Sequence, residues 1–243
     1  GGGRGRPRCA PLVGGGAAGP DPPPSARAAA PWGGGCGAAA ATRSSGGGAP
    51  RRFNTSILVD RGGNIVGRYR KIHLPGHAEH EPFRAFQHLE KRYFEVGDLG
   101  FPVWRAFDGN VGMCICNDRR WPETYRVMGL KGVELIALGF NTPSVNSQKG
   151  AEGPQRRIFH HKLSVQAGAY QNGPWVVGVA KAGIEEGVDQ IAGPCIIHPS
   201  GTIVAQASGR GDEVVIATVD LDAARIYKET TFNFALHRRP EHY

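Results

Sequence analysis

The chain has 243 residues, enough for one α/β domain with a buried core, and carries a net charge of +8. Half of that excess lies in residues 1–50, which hold five arginines and one aspartate, and no Lys/Arg run follows residue 52, so the sequence does not read as a nucleic-acid binder. No apolar run approaches membrane-spanning length and nothing near the start resembles the h-region of a secretory signal, so neither a membrane span nor a secretory leader is expected of these residues.

Residues 1–50 differ in kind from the rest. Gly, Ala and Pro fill 35 of these 50 positions, with no glutamate, lysine, isoleucine or phenylalanine. Such a segment buries too little apolar surface to offset its conformational entropy, and it is expected to be disordered. Residues 51–243 have globular composition. Apolar stretches at 56–59 and 65–69 flank Asp60-Arg61-Gly62-Gly63-Asn64, a hairpin signal. Residues 71–100 read as a long loop with a short helix, and loops of that length are commonly functional.

Strands are expected at 101–107 and 111–116, turning at 108–110. Pro122 then opens a helix to about residue 131, with Gly132 just past its end. Residues 133–140 form a continuous apolar run suited to a strand buried on both faces. A polar loop follows over 141–154. Phe159, Leu163, Gln166, Ala167 and Tyr170 recur at helical spacing, giving a helix over about 155–170. Strands at 175–181, 195–198, 202–206 and 213–221 and a short helix at 222–229 complete an α/β layered pattern.

Five cysteines, at 9, 36, 114, 116 and 195, suggest no disulfide framework and point to a reducing compartment, read as cytoplasmic. Cys114 reads as a small core residue. Cys116 ends an apolar run and is followed by Asn117-Asp118-Arg119-Arg120-Trp121-Pro122, a polar turn leading into a helix. Nearby N–H groups and the helix dipole favour thiolate there, which suggests a nucleophile for acyl transfer. Arg119 and Arg120 suggest a carboxylated substrate, although adjacent arginines in a turn point in different directions. Lys71, alone a surface charge, would lower the thiol pKa if its strand ended beside Cys116. Glu90 reads as an ion-pair partner or a proton carrier. His73, His88, His160 and His161 match no zinc spacing, so packing or substrate hydrogen bonds are expected of them.

The stretches Arg52-Phe53-Asn54-Thr55-Ser56, Tyr69-Arg70-Lys71-Ile72-His73-Leu74-Pro75-Gly76-His77, Gln87-His88-Leu89-Glu90-Lys91-Arg92-Tyr93-Phe94, Cys116-Asn117-Asp118-Arg119-Arg120-Trp121-Pro122-Glu123, Asn141-Thr142-Pro143, Gln166-Ala167-Gly168-Ala169-Tyr170-Gln171-Asn172-Gly173 and Phe232-Asn233-Phe234 stand in order along the chain. With them, residues 51–243 resemble the nitrilase superfamily of carbon–nitrogen hydrolases, most closely its N-carbamoyl-D-amino-acid amidohydrolases. The resemblance implies an α-β-β-α sandwich that dimerises or tetramerises and needs no metal or organic cofactor. It implies a Glu-Lys-Cys triad in which Cys116 is the nucleophile, Lys71 the lysine and Glu90 a further nearby carboxylate. Asn117 would give a backbone N–H to the oxyanion. Arg119 and Arg120 would hold the substrate carboxylate, with His73, His88, Asn141, Thr142 and His160 lining the pocket. The implied reaction converts an N-carbamoyl-D-amino acid to the D-amino acid, ammonia and carbon dioxide.

The family's triad glutamate lies upstream of the matching region, and residues 1–50 contain none. The chain is therefore expected to lack that base together with the opening strands and helices, and to fold poorly and turn over little. The alternatives are hydrolysis of N-carbamoyl-β-alanine or a simple amide, and a non-catalytic subunit that keeps the fold for assembly.

Overall fold

The computed structural model describes residues 9–15, 35–36, 40–44, 51–147 and 152–243. Three strands come first: β1 (Cys9–Gly15), β2 (Gly35–Cys36) and β3 (Ala40–Ser44). The hairpin of β4 (Arg51–Val59) and β5 (Ile65–Arg70) follows, its turn closed by Asp60, whose carboxylate accepts from the N–H groups of Gly62 and Asn64. A single turn, α1 (Glu90–Tyr93), interrupts the long loop. Next come β6 (Val103–Ala106), β7 (Gly109–Ile115), a 3₁₀ turn (Cys116–Arg120), α2 (Pro122–Leu130), β8 (Leu135–Phe140), α3 (Pro154–Asn172) and β9 (Trp175–Ala180). Two-residue strands β10 (Ile184–Glu185) and β11 (Val188–Asp189) form a small ribbon. β12 (Cys195–Ile197), β13 (Ile203–Gln206), β14 (Val214–Asp220), α4 (Arg225–Glu229) and α5 (Phe234–His237) complete the order.

Six strands form one sheet in the order β13-β12-β9-β8-β7-β6, with β7, β8 and β9 parallel and the rest antiparallel. The continuous apolar run at 133–140 thus supplies a central parallel strand, as both-face burial requires. The second sheet sets β4 between β2 and β3 on one side and β5 on the other. Alternation along β7 separates the layers. A Cβ on Gly112 would meet Met128 of α2, whereas Met113 turns the other way and its sulfur accepts from the Ser56 hydroxyl of β4. Tyr69 and Leu58 of the smaller sheet pack into the same core as Met113, Ile136, Val165 and Val176.

The layers therefore run helix, sheet, sheet. Among the described residues every helix longer than one turn lies on the side of α2 and α3, so the second helical layer of the expected sandwich is not among them. Within residues 1–50, β1, β2 and β3 pair with strands of the rest of the chain. β1 runs antiparallel along β14, with Val13 opposite Ile216, and β3 runs along β4, with Thr42 opposite Phe53. Ladder bonds come from the backbone, so a Gly- and Ala-rich stretch can pair with another strand without supplying a core of its own; β1 and β14 form a two-stranded sheet by themselves. The other positions of residues 1–50 lie outside the described residues. The expected turn at 108–110 is shifted back. Phe107 and Asp108 both take positive φ, 51° and 61°, giving a two-residue connection that matches strand twist.

Candidate active site

β7 is a fully backbone-paired strand up to Ile115, and the chain then changes hand. Cys116 has φ of 48°, a left-handed conformation costly for a residue with a Cβ. Asp118 fixes the reversal. Its Oδ2 accepts from Ile115 N–H at 3.0 Å and from the Tyr69 hydroxyl at 2.7 Å, while its Oδ1 accepts from His73 N–H and faces His73 Nδ1, both at 2.9 Å. One buried carboxylate thus ties the end of β7 to the end of β5.

That tie brings Lys71 to the thiol. Lys71, 1% exposed, leaves β5 with its N–H bound to Asn54 C=O, and its Nζ lies 2.6 and 2.8 Å from the two Glu90 oxygens. Glu90 Oε1 also accepts from Asn54 Nδ2 at 2.9 Å. The loop carrying Glu90 returns closely enough that His77 N–H bonds His88 C=O. A Cβ on Gly76 would lie 1.9 Å from that carbonyl, and Gly76 takes φ of 75°, so only glycine fits there.

Burial alone would push the Cys116 thiol up. Lys71 and then Arg119 outweigh it, and the thiol lies below its ordinary value even with Glu90 opposing. Its Sγ is 3.4 Å from Asn141 C=O. A thiol whose ionisation is eased, beside an ammonium already paired to a carboxylate, has the parts for nucleophilic attack on a carbonyl: a nucleophile, a cation for the developing oxyanion and a proton carrier.

The two adjacent arginines separate as a turn requires. Arg119 is 1% exposed and points inward: Nη1 donates to Cys116 C=O at 2.6 Å, Nη2 to Thr142 Oγ1 at 3.0 Å and Nε to His161 Nδ1 at 3.0 Å, with Phe140 beneath the guanidinium. Those contacts engage Nε, Nη1 and Nη2 each with an acceptor of the protein. Thr142, 2% exposed, likewise supports Arg119 and does not line an open wall. Arg120 is half-buried and donates to Asn117 Oδ1 at 3.0 Å, and among the described residues it makes no ion pair. Burial and then the neighbouring Arg119 lower it to about 10.

The other expected pocket residues divide. His88 stands 3.9 Å from Glu90 Oε2 and is held below its ordinary value by burial, so it stays neutral near pH 7. His73 is fixed by Asp118 and stacked on Trp121 at 4.8 Å, and Asn117 Nδ2 donates to its carbonyl at 3.1 Å. Asn141 is exposed and reaches the thiol through its carbonyl. His160 faces outward on α3, where its Nδ1 lies 2.5 Å from Glu152 Oε1. Its neighbour His161 is the histidine that reaches the centre.

Asp118 and Arg157 were not singled out as functional from the sequence, and His161 was named there only for packing or a substrate hydrogen bond. A signal existed for His161, which shares the buried face of α3 with Arg157, Val165 and Ala169 at four-residue spacing. Arg157 Nε donates to Pro143 C=O at 2.6 Å, and its guanidinium is lowered by burial, with Cys116 near enough to act on it. A cavity of about 450 Å³ lies elsewhere, between Arg126, Phe232, Phe234, Arg238 and Tyr243, and shares no residue with this centre. Among the described residues no three His, Cys, Asp or Glu side chains gather to hold a metal, and no helix is long and apolar enough to cross a membrane.

Residues 27–229 match the family model of the carbon–nitrogen hydrolases, so the match begins upstream of residue 51. The chain is 30% identical over 199 residues to N-carbamoylputrescine amidase of Arabidopsis thaliana, covering 79% of this chain and 62% of that protein. It is 30% identical over 198 residues to citrullinase of Francisella tularensis subsp. tularensis, covering 79% of this chain and 64% of that one. The crystal structure of a carbon–nitrogen hydrolase from Helicobacter pylori G27 superposes with a TM-score of 0.69 at 24% identity, covering 79% of this chain and 64% of that chain. The chain spans less than two thirds of the length of these relatives, and their names specify carbamoylputrescine and citrulline, not a carbamoyl-D-amino acid. With its helix–sheet–sheet layers and the cysteine at the tip of a central strand, the chain belongs to the carbon–nitrogen hydrolase family of the nitrilase superfamily.

Proposed function

We propose that Cys116 hydrolyses the carbon–nitrogen bond of an N-carbamoyl compound that carries a carboxylate, with N-carbamoyl-D-amino acids as the substrate class. The observation that carries this reading is the buried Cys116 thiol, lowered by Lys71 and Arg119 beside the Lys71–Glu90 ion pair. The thiolate attacks the carbamoyl carbon and forms a carbon–sulfur bond. The Lys71 ammonium holds the oxyanion, and the Glu90 carboxylate takes up the proton that the Cys116 thiol loses on attack and passes it to the departing nitrogen, which leaves as ammonia. Water, deprotonated by Glu90, then cleaves the thioester-like intermediate. The thiolate returns, and the released carbamic acid loses carbon dioxide to give the free amine.

Citrulline and carbamoylputrescine, named in two relatives, both contain a carbamoylated amine, which supports this choice of reacting group. The charges around Cys116 favour an anionic tail. Arg120 and Arg157 both approach the thiol electrostatically; Arg157 pairs with Glu152 at 3.5 Å, whereas half-buried Arg120 makes no ion pair among the described residues and feels Glu152 only at longer range, so a cationic tail would meet repulsion at Arg120 where a carboxylate would be bound. The D preference rests on the resemblance alone. A dimer or tetramer in the cytoplasm completes the reading.

The test is ammonia release by the full chain from N-carbamoyl-D-phenylalanine, its L enantiomer, N-carbamoyl-β-alanine and N-carbamoylputrescine, with Cys116→Ala as control. Turnover of the D compound, absent in the control, is expected. Preference for carbamoylputrescine would contradict the carboxylate assignment. A cooperatively folded chain inert to all four would favour the non-catalytic subunit.

A further inference from the structure

We infer that Arg119 is a positioning residue for the nucleophile, not a substrate contact, and that His161 is the buried acceptor that orients it. The inference rests on Cys116 being the nucleophile proposed above. It narrows the two arginines to one, leaving Arg120 to meet the substrate carboxylate.

The geometry fixes the roles. Arg119 presents three donor positions to three separate elements: Cys116 C=O in the 3₁₀ turn, Thr142 Oγ1 in the loop after β8, and His161 Nδ1 on α3. The first contact, at 2.6 Å, grips the carbonyl of the residue in the left-handed conformation, so the guanidinium offsets the strain where the thiol must be aimed. Arg119 Nη1 is also 3.9 Å from Cys116 Sγ, close enough to favour the thiolate directly.

His161 can accept from Arg119 Nε only if Nδ1 carries no proton. Its other nitrogen, Nε2, lies 3.2 Å from Gly193 C=O and donates there, which specifies the neutral Nε2–H tautomer. Everything else facing the ring agrees: Phe140 lies against it at 4.5 Å, the Cys195 thiol sits 3.8 Å from Nε2, and the charged groups acting on it, Arg119, Arg120 and Lys162, are all cations. Burial and those cations push His161 down to about 3, so it remains an acceptor throughout the working range. The groups facing the thiol come from four elements: Lys71 from the end of β5, Glu90 from α1, Arg119 and Arg120 from the turn, and Arg157 from α3.

Iodoacetamide is neutral and carries no carboxylate, so its rate of alkylating Cys116 reports the thiolate and is blind to a carboxylate-binding arginine. The rate is measured against pH in the full chain, at Cys116 by peptide mapping, for the parent, Arg119→Lys, Arg119→Gln, His161→Asn and His161→Leu. Both Arg119 variants are expected to react at least about tenfold more slowly near pH 7, with titration shifted upward by about one unit. Arg119→Lys fails because an ammonium cannot reach three partners at once. His161→Leu slows the reaction in the same sense, and His161→Asn restores part of the rate by offering an oxygen to Arg119.

A parent-like alkylation profile in Arg119→Gln, with KM raised only for carboxylated substrates, would overturn the inference. So would a parent-like profile in Arg119→Lys, which would leave charge alone as the cause. If Arg119→Gln does not fold, the His161 pair decides: equal rates in His161→Leu, His161→Asn and the parent contradict the relay. If the parent alkylates as expected but releases no ammonia from any carbamoyl compound, the proposed function fails while this inference stands.

Discussion

Cys116 and Cys195 are both buried thiols on the six-stranded sheet, 6% and 1% exposed, yet they are driven in opposite directions. Burial pushes Cys195 up to about 11, and Lys162 and Arg119 do not offset it. Burial acts first on Cys116 too, but Lys71 and Arg119 reverse the sign. The difference lies in where each cysteine sits on its strand. Cys195 opens β12, with its backbone paired to Gly178 and Gln206. Cys116 lies one residue past the end of β7, where the chain turns left-handed and side chains from β5, α1 and α3 converge. The opposite directions of the two thiols follow from cations gathered at a strand end, not from solvent exposure.

The largest test of that contrast removes each thiol in turn. Cys116→Ala should lower ammonia release by about a thousandfold or more, whereas Cys195→Ala should keep the fast-alkylating site at Cys116 in peptide maps. Next in size is the ion pair. Lys71→Met should cost roughly a hundredfold or more in kcat through the lost oxyanion cation, and it should also bring Cys116 closer to Cys195 by raising its titration. Glu90→Gln should lower kcat by about a hundredfold or more while leaving Cys116 readily alkylated, since Glu90 opposes the thiolate. Arg120→Gln should raise KM for carboxylated substrates by roughly ten- to a hundredfold and spare simple amides, read from steady-state kinetics on both.

A separate effect is on stability. His161 binds its proton only near pH 3 when folded and near 6.5 when unfolded, so between those values the unfolded chain holds more protons. Its contribution is whole above pH 6.5 and falls as pH drops toward 3, by up to about 1.4 kcal/mol per pH unit. Denaturant melts from pH 7.5 to 4.5 should show a decline that His161→Asn flattens.

Much of this was legible in the chain. The apolar run at 133–140, Pro122 at a helix start and the four-residue spacing on α3 fixed the strand and helices that bracket Cys116, because burial pattern and backbone chemistry are local. Cys116, Lys71 and Glu90, singled out from the sequence, lie near one another, with Lys71 paired to Glu90 and both acting on the thiol. The division of labour between Arg119 and Arg120 was not legible, since two identical side chains in one turn are separated only by which faces the core. Asp118 was passed over because its partners, Tyr69 and His73, are more than forty residues away in the chain. The pairing of β1 with β14 and of β3 with β4 was hidden for a different reason. Pairing through the backbone alone leaves no apolar pattern to read.

The central claim is that neighbouring cations, acting against burial, make Cys116 the reactive thiol. Its most direct test is iodoacetamide labelling of the full native chain across pH 5 to 10, with Cys116 and Cys195 followed separately by peptide mass. The account predicts that Cys116 labels with an apparent pKa below that of an ordinary thiol, while Cys195 stays unlabelled until far higher pH. Equal titration of the two, or earlier labelling of Cys195, would contradict it.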